Sequence, residues 1–175
     1  MGSKTLEQID EAFFDEHMNM NVKSPLFLTQ AAVKHMAPGT NDFIARIIKS
    51  YLNSLLRVGS RVIFFSTSLT ASTTVLPNAL VYLGSKGAVE QFTRVLSKDL
   101  AVKGINVNCV SPGPTDTALF RSGKSEEVIK RIAGQSPYNR LGTVDDIKGI
   151  LAFLVGPEAA WLSGQNIRVN GAFVV

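Results

Sequence analysis

The stretch Val81-Tyr82-Leu83-Gly84-Ser85-Lys86-Gly87-Ala88-Val89-Glu90 decides how the rest of the chain is read. Its apolar pattern continues through Phe92, Val95, Leu96 and Leu100 to Gly104, which predicts one long helix over Tyr82 to Lys103. The same pattern predicts Ala88, Val89, Phe92, Val95, Leu96 and Leu100 to be buried. On a helix Tyr82 and Lys86, four residues apart, stand one turn from each other on one face. A phenol with an unperturbed pKa of about 10 is a poor acid or base at neutrality. An ammonium held one turn away favours the phenolate and is expected to draw the tyrosine towards the working range.

Working outward, Arg61-Val62-Ile63-Phe64-Phe65 is a short apolar run that predicts a buried strand. It ends in Ser66-Thr67-Ser68. A hydroxyl at a strand end can face a helix returning across it and could hold the oxygen on which Tyr82 acts. Ser68 lies fourteen residues before Tyr82, and strand register leaves Thr67 or Ser66 open for the same place. On the far side of the helix, Ile105 to Val110 predicts a second strand. Strand, helix, strand argues a right-handed crossover between parallel strands. Pro112-Gly113-Pro114-Thr115-Asp116-Thr117 follows as a rigid loop at the carboxyl end of that strand, where open parallel sheets bind ligands.

The outer parts are also periodic. Leu6, Ile9, Phe13 and Phe14 predict a helix over Leu6 to Met20, and a second runs through Phe27, Leu28, Ala31, Ala32 and Met36 to Pro38-Gly39. Asn21 stands between them, before Pro25, where an asparagine capping a helix break is one reading. Asp42 to Val58 carries another apolar stripe, through Ile44, Ile48, Tyr51, Leu52 and Leu55. Ser125 to Ala133 predicts a short helix. Thr143 with Asp146 three residues on makes a capping box for a further one through Ile147, Ile150, Leu151 and Leu154. Ser163 to Val169 is the final strand. His17 and His35 lack a metal-ligand partner at helical spacing and are read as neither catalytic nor metal-binding.

With 175 residues, 45% hydrophobic and 18% charged, the chain is expected to be one globular domain. Eighteen basic residues against fourteen acidic ones leave a net charge of +4 without a block of like charge, which speaks against nucleic-acid binding. The apolar runs are far short of a membrane span and no signal pattern opens the sequence. The single cysteine, Cys109, sits in an apolar strand, so a buried small hydrophobe in a reducing, cytoplasmic setting is the expectation.

Taken together, the hydroxyl-terminated strand, the Tyr82-x-x-x-Lys86 helix and Asn106-Val107-Asn108-Cys109-Val110-Ser111-Pro112-Gly113 resemble the short-chain dehydrogenase/reductase family. The match runs from about Thr5 to Met36 and again from Gly59 to the C-terminus. The resemblance implies a partial Rossmann-like α/β fold of three layers, a parallel sheet of few strands flanked by helices. It implies reversible hydride transfer between NAD(P), NAD or NADP being undecided, and a small-molecule carbonyl or alcohol. Tyr82 would exchange the proton, and Lys86 would tune it while holding the nicotinamide ribose. Spacing in the family favours Ser68 for the substrate oxygen, and Asn21 would bind, through its backbone carbonyl, a water linking Lys86 to solvent. Pro112, Gly113, Thr115 and Thr117 would face the nicotinamide carboxamide, and the helix after Ser125 would be a flap over the substrate. Homo-oligomers through the two long helices are expected as well.

Two features depart from the family pattern. Family members open on a strand and a Gly-x-x-x-Gly-x-Gly turn for the pyrophosphate, and no such turn precedes Asn21. The chain is therefore expected to be a truncated single domain over residues 1–175, resembling the second half of the fold. About twenty residues at 40–58 also look inserted, as a helix covering core or one serving a partner or membrane surface. Beside the oxidoreductase stands the alternative of a catalytically inactive fragment or variant acting through protein association, with the strand at Arg61 as an open edge.

Overall fold

The computed structural model describes residues 3–36 and 59–175. The segment expected as an inserted helix at 40–58 lies outside the described residues. A 3-10 turn, Leu6–Gln8, precedes helix α1, Glu11–Met18. Asp10 caps α1 by accepting a hydrogen bond from the Phe13 N–H at 2.8 Å. Helix α2, Ser24–Met36, continues the same path through a π turn, Asn19–Lys23, where the Ser24 N–H bonds the Asn19 carbonyl five residues back. Pro25 has no N–H to give the regular ladder, and the wider turn accommodates the lost rung. The interruption expected at Asn21 is thus a widened turn within one helical rod.

Strand β1, Arg61–Phe65, leads through short 3-10 turns into helix α3, Leu80–Asp99. Strand β2, Asn106–Pro112, comes next, then the short helix α4, Ala118–Arg121, which the sequence pattern had not suggested. Helix α5, Glu126–Ala133, helix α6, Val144–Val155, and strand β3, Asn166–Val169, complete the described chain. The strands are parallel in the order β1-β2-β3. Arg61 pairs with Asn106 at one end of the first ladder, and Pro112 with Val169 at the far end of the second. Among the described residues β1 pairs only with β2, so its other edge carries no strand, and Phe65 at its end is 45% exposed.

Alternation along the strands separates two cores. On one face Phe64, Val107 and Cys109 pack with Val33 of α2 and Val89 of α3. On the other, Val110 packs with Ile147 and Leu154 of α6, joined by Ile63 and Ile167. This is the three-layer α/β arrangement expected. The buried stripe of α3 runs through Val81, Ser85, Val89 and Thr93, whereas Val95, expected inside, is 65% exposed. The polar members of the stripe are tolerated because each hydroxyl returns to its own helix, Ser85 to the Tyr82 carbonyl and Thr93 to the Val89 carbonyl.

Gly104, at φ 69°, turns the chain from α3 into β2, a conformation that favours glycine. Two asparagines in β2 then fasten the segment before β3. The fully buried Asn108 donates to the Leu162 carbonyl and accepts from the Gln165 N–H, while Asn106 donates to the Ala160 and Leu162 carbonyls. The Thr143–Asp146 capping box is formed as the spacing predicted. Among the described residues no helix is long and apolar enough to cross a membrane.

Candidate active site

The ladder between β1 and β2 extends one step past Phe65, where the Ser66 N–H donates to the Val110 carbonyl at 2.9 Å. Thr67 follows in extended conformation and caps the 3-10 turn Ser68–Ala71, accepting from the Leu69 N–H. This places three hydroxyls in three directions. Ser66 turns to α3 and donates to Glu90 Oε1 at 2.7 Å. Thr67 is the one of the three whose side chain acts on the Tyr82 phenol, drawing it downward. Ser68 is fully buried, and its Oγ has no hydrogen-bond partner among the described residues.

Of the three, Thr67 rather than the Ser68 favoured by spacing influences the phenol. Successive residues of an extended chain point to opposite sides, so a one-residue difference in register exchanges one hydroxyl for another.

Tyr82 and Lys86 occupy one face of α3 as expected, with the Lys86 Nζ 5.9 Å from the centre of the Tyr82 ring. Their electrostatics differ from the expectation. Burial pushes the Tyr82 phenol above its ordinary value, and the opposing pull comes from Thr67. Burial likewise lowers Lys86, against a smaller upward influence of Cys109. The Lys86 Nζ donates to the Phe65 carbonyl at 3.0 Å, at the end of β1. Desolvation of the phenol dominates here, because burial disfavours whichever form carries charge. In this state Tyr82 is a protonated phenol at neutral pH.

Asn21 is buried in the π turn, and its Nδ2 donates to Ser85 Oγ at 3.0 Å. Ser85 in turn donates to the Tyr82 carbonyl at 2.7 Å. The turn between α1 and α2 is thereby tied to the backbone that carries the phenol. His17, one turn earlier and fully buried, stacks against Phe13 with ring centres 4.3 Å apart.

The loop after β2 closes on itself. The Thr115 hydroxyl donates to the Gly113 carbonyl at 3.0 Å, and Thr117 caps α4 by accepting from the Phe120 N–H at 3.1 Å. Gly142 brackets the loop, its N–H donating to Pro114 and its carbonyl accepting from Asp116. Pro112 ends β2 opposite Val169, and Gly113 lies so close to Asn170 that an added Cβ would stand 2.8 Å from its Cα. A cavity of about 280 Å³ opens beside this loop, with Pro114, Thr115, Tyr138, Arg140 and Phe173 in its wall. Tyr82, Lys86 and Thr67 do not line it. Arg140 pairs with Asp146 at 2.6 Å and holds that carboxyl well below the usual range.

One residue, Glu90, had no part in the sequence reading of the site. Glu90 accepts hydrogen bonds from both Ser66 and Thr70, and the run of hydroxyl residues from Ser66 to Thr70 was the only local hint of an acceptor nearby. Thr67 was one of three open choices. Cys109, beneath them, is pushed up to about 11 by burial and then by Glu90, and is a thiol at neutral pH.

The family described as Enoyl-(Acyl carrier protein) reductase matches residues 2–173. The chain is 34% identical over 170 residues to a short-chain type dehydrogenase/reductase of Picea abies, covering 97% of this chain and 55% of that one. It is 33% identical over 161 residues to an NADPH-dependent aldehyde reductase-like protein, chloroplastic, of Arabidopsis thaliana, covering 92% and 52%. Among solved structures, an angucycline C-6 ketoreductase, LanV, with bound NADP superposes with a TM-score of 0.76 at 29% identity, over 99% of this chain and 58% of that one. The chain spans about half the length of the curated relatives it matches. A parallel sheet with a Tyr-x-x-x-Lys helix crossing between its first two strands, and a family match over nearly the whole sequence, agree on one conclusion: the chain belongs to the short-chain dehydrogenase/reductase family.

Proposed function

We propose that this chain carries the proton-transfer site of an NAD(P)-dependent carbonyl–alcohol oxidoreductase, working in the reductive direction. The observation that carries the reading is the convergence of Tyr82, Thr67 and Lys86 where β1 ends against α3. A carbonyl oxygen held between the Thr67 and Tyr82 hydroxyls would receive its proton from Tyr82. A phenol kept protonated by burial is suited to give a proton rather than take one. Thr67 takes the role of Ser68 in this reading because its side chain acts on the phenol while Ser68 is fully buried.

A bound NAD(P)H supplies the hydride for this chemistry. The residues present fit its nicotinamide end. Among the described residues the Lys86 Nζ makes one hydrogen bond, to Phe65, and an ammonium has three donors, which leaves capacity for ribose hydroxyls. In this reading the carboxamide lies along Pro112 to Thr117. The Thr115 hydroxyl would exchange its bond to Gly113 for it, while Thr117 retains its cap on α4. Asn21 holds α1 and α2 to the Tyr82 backbone and anchors the return of protons to Lys86. The names of the Arabidopsis relative and of the LanV structure, with NADPH and NADP in them, support the cofactor class. Exposed Phe27 and Leu28 on α2 and Val95 on α3 support self-association through these helices.

The test is a titration of the chain with NADPH and NADH, followed by NADPH oxidation in the presence of a small aldehyde or ketone. Saturable binding and carbonyl-dependent turnover are expected. A chain that binds neither nucleotide is the non-catalytic, associating protein instead, and the reductase reading falls.

A further inference from the structure

We infer that Glu90 is a positioning residue, holding the turn after β1 so that Thr67 presents its hydroxyl to Tyr82. The inference rests on the reading of Thr67 and Tyr82 as the pair that holds the substrate oxygen. Glu90 lies two turns beyond Tyr82 on α3 and one turn beyond Lys86. Its Oε1 accepts from Ser66 Oγ at 2.7 Å and from the Thr70 hydroxyl. These are the residue immediately before Thr67 and the one three after it.

The single Thr70 hydroxyl proton is shared between Glu90 and the Thr67 carbonyl, 2.8 Å away, and the Thr70 N–H donates to the same carbonyl at 3.3 Å. One carboxylate oxygen therefore grips the turn on both sides of Thr67. The backbone there is fixed in the extended cap conformation, and the Thr67 Oγ1 is oriented by the Leu69 N–H. With Ser66 directed to Glu90 and Ser68 into the interior, the alternation of the chain leaves Thr67 as the hydroxyl facing the phenol. A loop residue without such a grip samples several rotamers, and a hydroxyl misplaced by an ångström loses its role. The titratable neighbours on the packed elements are Lys86 of α3 and Cys109 of β2, and both are unchanged in every variant below.

The test reads Tyr82 directly and needs neither cofactor nor substrate. The full chain is labelled with 13Cζ-tyrosine, the Tyr82 signal is assigned with Tyr82→Phe, and its ionisation is followed by NMR. Glu90→Ala and Glu90→Gln both remove the charge, but only Gln keeps an oxygen acceptor for Ser66 and Thr70. The acid dissociation constant of Tyr82 is expected to be about fivefold smaller in Glu90→Ala than in Glu90→Gln, the loss of one ordinary hydrogen bond from Thr67. In a Thr67→Val background that difference is expected to vanish. Coincident titrations of the two Glu90 variants, or a difference that persists without the Thr67 hydroxyl, would overturn the inference. Should Glu90→Ala fail to fold, Thr70→Val carries the test, and an unchanged Tyr82 titration there overturns it as well. A chain that shows the expected titrations yet reduces no carbonyl retains this role for Glu90 while losing the proposed function.

Discussion

The end of β1 and the end of β2 lie side by side in the sheet, and both open into hydroxyl-rich segments, yet they use their hydroxyls differently. After β2, Thr115 bonds a carbonyl two residues away and Thr117 caps the helix it precedes, so the hydroxyls act locally while the backbone of Gly142 brackets the loop. After β1, Ser66, Thr67 and Thr70 reach across to α3, engaging Glu90 and Tyr82 some fifteen to twenty-four positions further along the chain. The first segment is a scaffold whose side chains bond locally and whose backbone is held by Gly142 and Val169. The second is a junction whose geometry exists only while strand and helix stay packed. Chemistry that needs two groups at one point belongs at the junction, while the loop supplies the wall beside it.

The sharpest way to test this division is Tyr82→Phe. It removes the proton donor without disturbing the packing of the ring, so carbonyl reduction is expected to fall by about 100- to 10,000-fold while the circular dichroism of the chain is unchanged. A variant keeping most of its rate would falsify the placement of the chemistry at the junction.

Next in size is an alkaline loss of stability from the packed layer under the junction. Cys109 titrates near 9.0 when unfolded and is raised to about 11 in the fold. A proton held more tightly in the folded state stabilises it fully below pH 9, and that contribution disappears as pH rises towards 11. The loss amounts to no more than about 3 kcal/mol. Tyr82, also raised, adds to it at the upper end. Urea unfolding of Cys109→Ala should show a flatter alkaline limb than the unaltered chain; identical slopes would mean the thiol does not carry it.

Gly113→Ala probes the loop. A Cβ there would lie 2.8 Å from the Asn170 Cα and Cβ, and backbone cannot swing aside as a flexible side chain can. A cost of about 1–3 kcal/mol is expected from denaturant midpoints, with the β2–β3 end loosened first. Smallest is Thr117→Ala, which removes the cap of α4 and should cost about 1 kcal/mol, confined to residues around Ala118–Arg121. If the Tyr82 titration moved in Thr117→Ala, the loop and the junction would be coupled and the division between them would fail.

Much of the scaffold was legible in the residues. Apolar runs and stop residues located β1, α3, β2, α5, α6 and β3 to within a few positions, and the Thr143–Asp146 box announced the start of α6. Asn21 was correctly suspected as a break in helical regularity, though Pro25 produces a π turn rather than an interruption. Two readings failed for a shared reason. Val95 was assigned to the interior from helical spacing, but the stripe that faces the sheet passes through Ser85 and Thr93, polar residues whose hydroxyls are satisfied within the helix. Lys86 was expected to draw Tyr82 downward from sequence distance alone, but burial of the phenol prevails and the ammonium is engaged by Phe65.

The sequence by itself determined the order of the elements, their parallel arrangement and the presence of Tyr82 and Lys86 on one helical face. Those properties follow from periodicity and from contacts within a turn or two of chain. Only the tertiary structure decided where each of three adjacent hydroxyls turns, that Glu90 accepts hydrogen bonds on both sides of Thr67, and that Tyr82 stays protonated. The physical reason is that strand register and desolvation are set by what packs against a residue from elsewhere in the chain, and a shift of one position along β1 sends a side chain to the opposite face.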